Sequence, residues 1–263
     1  MTRILSGLVA GGITIAGVVL LSSEWLAVLA IVLMTVGAVE MVALGRAGSS
    51  GPGLLVLPVL VPALSLAFVF VSPTLTLVGL ALVPLAAACG LLWVGGEPTE
   101  RLSTLGWLSF GTPYLVVPAC SLYLIHSFEP RLLLVFLVSV WANDSAAYFV
   151  GRSLGRHKIA PVLSPNKTVE GSIGGLVGGA AVGALGLLWS GEWAWPVLLA
   201  LVVALGAAQA GDLVESLLKR AVGRKDSGTL LPGHGGALDR LDAIILAAPV
   251  FWALVGFETG WSL

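Results

Sequence analysis

Charge is what this sequence has least of. Asp, Glu, Lys and Arg make up 10% of its 263 residues, against roughly 25% in an ordinary soluble domain. With 57% hydrophobic residues and a mean hydropathy of +1.02, that scarcity excludes a water-soluble globular domain and a disordered chain. Cysteine is also scarce. Cys89 and Cys120 both sit inside apolar runs, which argues against a disulfide framework or a thiolate metal centre and leaves them as small hydrophobes. There is no GxxxxGK[ST] phosphate loop and no GxSxG elbow. His126, placed at the outer interface, and His157, in a basic stretch, have no evident nucleophile partner. A Ser–His–Asp triad would have to be drawn from the distant Ser216, His234 and Asp239, and is disfavoured. The net charge of −1 selects no class of partner, and nucleic acid is not expected.

Long hydrophobic runs, by contrast, recur along the chain. Nine apolar segments are predicted, at about 4–21, 25–44, 53–71, 74–94, 104–126, 131–150, 172–190, 193–211 and 242–260. A hydrocarbon core of about 30 Å needs ~20 apolar residues per helix, and the segments supply that length. Pro58, Pro62, Pro73 and Pro84 threaten the third and fourth. No cleavable signal peptide is evident, so the first run is expected to be retained as a span. The expected architecture is an all-α polytopic integral membrane protein of about nine transmembrane helices. It is read as a single membrane domain over 1–263, with N-terminal spans over 1–126 and a catalytic half over 131–263. With the N-terminus in the cytoplasm, 12 of the 13 Lys and Arg fall inside and only Arg131 outside. That agreement needs an even number of spans before residue 151, which favours splitting the third from the fourth. The expected location is a bacterial inner membrane, with the two long polar stretches, 151–171 and about 212–241, on the cytoplasmic side.

The scarce charges concentrate in those stretches. Between Ser216 and Asp242 lie eight Lys, Arg and Asp residues and one His. Placing so many beside lipid is costly unless they serve chemistry. If the helix continues past Gly211, then Asp212, Glu215, Ser216 and Lys219 share one face at its end. A second group follows: Arg224, Lys225 and Asp226, then Pro232-Gly233-His234-Gly235-Gly236, then Asp239, Arg240 and Asp242. The glycines allow close backbone approach to a phosphate, and the helix that follows offers free N–H groups to an anion. Carboxylates with Lys and Arg close by suit a Mg²⁺–polyphosphate site.

Asp144, in WANDSAAY, is a carboxylate within an apolar run, which is a functional candidate by default. Asn143 and Tyr148 are its neighbours or simple packing residues. The basic stretch that follows contains Arg152, Arg156, Lys158 and Lys167. Cytoplasmic loops are basic in any case. The denser SPNKTVEG run singles out Lys167 and Glu170 as functional.

The whole pattern resembles the signature of the phosphatidate cytidylyltransferase (CDP-diacylglycerol synthase) family. The motif S-x-x-K-R-x4-K-D-x-G-x3-P-G-H-G-G-x-x-D-R-x-D runs from Ser216 through Asp242 without a break. Upstream, GDLVES (211–216), SPNKTVEG (164–171) and the Asp144 region with AAYFVGRSLGR are also similar to the family. The likeness covers roughly the C-terminal half, and no charged position of the signature departs from it. It implies a membrane enzyme that joins CTP and phosphatidic acid into CDP-diacylglycerol and pyrophosphate with Mg²⁺.

On that resemblance, Asp144, Lys167, Glu170, Asp212, Lys219 and Asp239 form the catalytic set. Asp212 and Asp239, with Asp144 or Asp242, would hold one or two Mg²⁺ ions, and a monovalent cation is left open. Lys219, Arg220, Lys225 and Arg240 would hold the triphosphate or the lipid phosphate. Ser216, Asp226, His234, Gly235 and Gly236 would line the substrate pocket, with Lys167 and Glu170 closing it. Membrane lipid, CTP and phosphatidic acid are the expected partners, and a homodimer is left open. Two rivals stand beside this reading. A CTP-dependent polyprenol kinase would release CDP. A transporter would bind an ion or anionic solute at the midplane, but no inverted repeat is evident.

Overall fold

The computed structural model describes residues 2–48, 50–228 and 236–259, with side chains over 11–48, 50–228 and 236–256. Among the described residues are nine α-helices: α1 (Thr2–Leu20), α2 (Ser23–Ala47), α3 (Leu57–Phe70), α4 (Pro73–Leu91), α5 (Pro98–Phe128), α6 (Pro130–Leu154), α7 (Val169–Ser190), α8 (Trp195–Ala221) and α9 (Leu238–Thr259). Each coincides with one of the nine expected segments. A 3₁₀ turn, Pro52–Val56, leads into α3. Among the described residues, seven helical segments are long and apolar enough to cross a membrane: α2, the 3₁₀ turn with α3, and α4 through α8. The protein is therefore an all-α, multi-pass membrane protein.

Prolines mark helix starts rather than breaks at α4, α5 and α6, where a missing N–H costs nothing. Pro62, Pro84, Pro113, Pro118 and Pro249 lie inside helices, as bundled membrane helices tolerate. The third and fourth segments are thus separate helices. Helix α8 runs ten residues past Gly211 to Ala221, so the charges of 212–220 are helical, as their spacing suggested. The stretch 151–171 departs from expectation. Helix α6 continues to Leu154, and an antiparallel hairpin follows: β1 (Lys158–Ala160) with β2 (Ser164–Thr168), pairing Lys158 with Thr168 and Ala160 with Ser164.

The chain divides into two compact units, each assembled from separate stretches. The first comprises Met1–Leu26, Leu124–Leu217 and Asp242–Leu263. Its centre is the packing of α7 on α6. Gly171, Gly175, Gly179 and Gly183 recur every fourth residue along α7 and are all buried. A Cβ on Gly175 would lie 2.8 Å from the Asn143 carbonyl oxygen, and one on Gly179 would lie 3.0 Å from that of Ser139. Lipid is as apolar as a leucine, so such helices associate through close packing and polar contacts rather than hydrophobic burial. Phe136 stacks on Phe251 from α9 with ring centroids 5.1 Å apart. His126 is buried, its ring nitrogens against the Ser23 hydroxyl at 2.9 Å and the Val18 carbonyl at 3.0 Å.

The second unit comprises Ala27–Tyr123 and Leu218–Leu241. Met34, Met41, Leu44, Leu54, Leu57 and Leu115 are fully buried within it. Thr76 at the start of α4 donates to the Leu64 carbonyl of α3 at 2.8 Å, and the Thr104 hydroxyl accepts from the Gly51 N–H at 2.7 Å.

Candidate functional site

In the first unit, α6, β2 and α8 each bring one charged residue to a common cluster. Thr168 ends β2 and caps α7, its hydroxyl accepting from the Gly171 N–H at 3.2 Å. This places Lys167 immediately before the helix. Its ammonium lies 2.5 Å from Asp212 Oδ2, with the two side chains 27% and 39% exposed. Asp144 interacts electrostatically with both Asp212 and Lys167. A neutral network braces the same helices. Gln209 of α8 donates to Asn143 Oδ1 at 2.8 Å and to the Ser172 carbonyl at 3.0 Å, and the Ser172 hydroxyl donates back to Gln209 Oε1. The Asn143 amide also donates to Asp144 Oδ1 at 3.3 Å.

Glu170, in the first turn of α7, holds the chain that leads into the hairpin. Its carboxylate accepts from the backbone N–H groups of Arg156 and His157 at 3.0 and 3.2 Å and lies 2.6 Å from His157 Nδ1. Asp242 accepts from the Ala243 N–H at 2.7 Å. A Cβ on Gly211 would run into the Asp242 carbonyl, so the glycine lets α8 meet α9. Ser216 is half-buried on α8.

In the second unit, Lys219 and Asp239 form an ion pair of 2.6 Å, both largely buried. The other oxygen of Asp239 accepts from the Ser227 N–H at 3.1 Å, the Ser227 hydroxyl at 3.0 Å and the Gly236 N–H at 2.8 Å. Burial alone would push this carboxyl up, but the Lys219 bond and charge with the Gly236 and Ser227 amides outweigh it and hold it down at about 2. Asp239 is therefore an anion at neutral pH. A second carboxylate, Glu40 of α2, is 7% exposed. It accepts from the Ala237 N–H at 2.8 Å, the Leu238 N–H at 2.9 Å and the Ser227 hydroxyl at 2.9 Å. Gly236 is buried between Ser227 and Glu40, where a Cβ has no room. Arg220 donates to the Arg224 carbonyl at 3.3 Å. Lys225, Asp226 and Arg240 are exposed. His234 and Gly235 lie outside the described residues.

Three residues of these clusters escaped the sequence reading: Glu40, Ser227 and Gln209. Glu40 carried a usable signal, a lone carboxylate in an apolar run, the same signal that marked Asp144. Gln209 and Ser227 are neutral and carried none.

The donors fit a hard divalent cation in the first unit. Asp144 and Asp212 offer oxygen ligands and share an electrostatic environment. Among the described residues no group of three or more His, Cys, Asp or Glu converges as a metal site. Two carboxylates suffice for Mg²⁺, which is usually held by one or two of them plus water and substrate phosphates. Asp239 is differently placed, because donors already occupy both its oxygens.

A sequence model of a family described as the cytidylyltransferase family matches residues 1–257. The chain is similar to several bacterial proteins named phosphatidate cytidylyltransferase. That of Brucella suis biovar 1 (strain 1330) is 46% identical over 175 residues, covering 64% of this chain and 62% of the relative. That of Bacillus subtilis (strain 168) is 46% identical over 121 residues, 45% of each chain. That of Staphylococcus saprophyticus subsp. saprophyticus is also 46% identical over 121 residues, 45% of this chain and 46% of the relative. The chain thus spans 62% of the length of the Brucella relative and less of the other two.

Proposed function

We propose a reaction from one premise: the chain belongs to the cytidylyltransferase family. The reaction joins CTP to phosphatidic acid and yields CDP-diacylglycerol and pyrophosphate. The observation that carries it is the pair of Lys–Asp clusters, Lys167 with Asp212 and Lys219 with Asp239. Few charged residues are available in this chain, and these are spent on a combination suited to phosphate and metal rather than to a nucleophile.

A phosphate oxygen of phosphatidic acid attacks the α-phosphorus of CTP. A P–O bond forms there, the bond to the β-phosphate bridging oxygen breaks, and pyrophosphate leaves with that electron pair. The phosphomonoester has a second pKa near ~6 and is largely dianionic at neutral pH. No strong base and no covalent intermediate are needed. The difficulty is that two polyanions must meet, so the protein's contribution is positioning and charge neutralisation. Lys167 neutralises phosphate charge in the first cluster. Lys219, with Arg220, Lys225 and Arg240, does so in the second. Asp144 and Asp212 would hold Mg²⁺, which when bound makes the α-phosphorus more electrophilic and pyrophosphate a better leaving group. Glu170 fixes the hairpin that carries Lys167. The lipid tails stay in the bilayer, and CTP arrives from the cytoplasm of a bacterial cell, where this reading also puts the N-terminus and the polar stretches. The distribution of Lys and Arg supports that orientation, and the bacterial relatives support the bacterial setting.

The test is pyrophosphate release by the purified protein in mild detergent with Mg²⁺. Release that requires CTP and phosphatidic acid together is expected. Release from CTP alone, or none from a folded preparation, would contradict the proposal.

A further inference from the structure

The N-terminal spans carry no motif, yet one of them supplies a carboxylate that takes three hydrogen bonds in the second unit. Glu40 lies in α2, far in sequence from the signature, and is 7% exposed. Its Oε1 accepts from the Ala237 N–H, and its Oε2 from the Leu238 N–H and the Ser227 hydroxyl, all between 2.8 and 2.9 Å. Two of these donors are the free amides at the start of α9, where a helix favours a negative charge. The third is shared. The Ser227 hydroxyl also lies 3.0 Å from Asp239 Oδ2, so one proton serves two carboxylates. Asp239 in turn takes the N–H groups of Ser227 and Gly236. Four backbone amides, one hydroxyl and two carboxylates therefore pin the two ends of the segment 227–238. The fit is tight: a Cβ on Gly228 would lie 2.6 Å from Glu40 Oε1, and Gly236 has still less room.

We infer that Glu40 is a positioning residue. It ties α2 to the signature segment and, through Ser227 and the start of α9, sets where Asp239 and Lys219 stand for the phosphates of the nucleotide. The inference rests on the cytidylyltransfer reading for its kinetic consequence, but the clamp itself does not. A burial site satisfied only by packing would accept an isosteric amide. This one would not, because three donors converge on the carboxylate and a Gln amide would turn an N–H₂ group against one of them.

The test uses Glu40→Gln, Ser227→Ala and the double variant, in purified full-length protein. Charge-assisted hydrogen bonds at this strength correspond to about 10- to 100-fold each. Glu40→Gln is expected to lower kcat/KM for CTP by about 10- to 100-fold, with KM for phosphatidic acid unchanged. Ser227→Ala should cost less. The double variant should cost less than the two single variants added together, because hydroxyl and carboxylate share one bond. Amide hydrogen exchange, which needs no activity, should speed up at 227 and 236–238 in Glu40→Gln and stay as in the wild type across α6 and α7. Unchanged exchange at 227 and 236–238 would overturn the clamp. Faster exchange there with unchanged CTP kinetics, or equal effects on both substrates, would overturn its positioning role. A wild type that forms no CDP-lipid would instead remove the proposed reaction, leaving the exchange result to decide the clamp alone.

Discussion

Lys167 and Asp212 stand 2.5 Å apart, 27% and 39% exposed. At that exposure an ion pair stabilises a protein by only about 0–1 kcal/mol, so stability alone gives little reason to keep it. Lys167→Ala and Asp212→Asn are therefore expected to leave the thermal midpoint in detergent nearly unchanged while lowering kcat by about 100-fold or more, the scale of a lost electrostatic contact to developing charge. Retained turnover with a collapsed midpoint would make the pair structural. Residues of this kind were legible in the sequence, because each charge in an apolar chain demands an explanation. Asp144, Lys167, Asp212, Lys219 and Asp239 all stood out on that ground. Glu40 met the same criterion, but it lay alone among apolar neighbours with no motif around it. Its partners arrive from almost two hundred residues away. Gln209 and Ser227 bear no charge, and only the contact between helices reveals what they bridge.

The elements were legible because hydrophobic length is what a bilayer selects, and every expected segment became a helix. The β1–β2 hairpin was not. Its strands span three and five residues, one contains Pro165, and no alternation precedes them. What holds the hairpin is a capping threonine and the Glu170 carboxylate, both of which act at the helix terminus rather than within a strand. The glycine stripe of α7 takes its meaning from the partner helix. At Gly175 an added Cβ meets the Asn143 carbonyl at 2.8 Å, whereas at Gly206 in α8 it meets nothing within 4 Å. Gly175→Ala is thus expected to destabilise by about 1–3 kcal/mol as overpacking does, and to reduce turnover by shifting Asn143 beside Asp144. Gly206→Ala should be neutral or slightly stabilising, since alanine is the better helix former. Thermal midpoints in detergent check both, and equal tolerance at the two positions would refute the close α6–α7 packing.

At the scale of the whole molecule, each compact unit is assembled from stretches far apart in sequence, and α2, α5, α8 and α9 each contribute to both. That division was hidden in the sequence, because hydropathy reports where helices run and not which helices touch. It also qualifies the idea that the C-terminal half alone carries function. The signature segment after Leu218 belongs to the same unit as α2 through most of α5, and Glu40 shows one reason. The proposed reaction moves a cytidylyl group onto a lipid phosphate. The most direct measurement is the fate of label from CTP, carried on the α-phosphate in one reaction and the γ-phosphate in another, with phosphatidic acid and Mg²⁺. Cytidylyl transfer puts α-label in the organic phase, matched one for one by pyrophosphate, with γ-label staying in water. Label reaching lipid only from the γ-phosphate, or from neither, would contradict it.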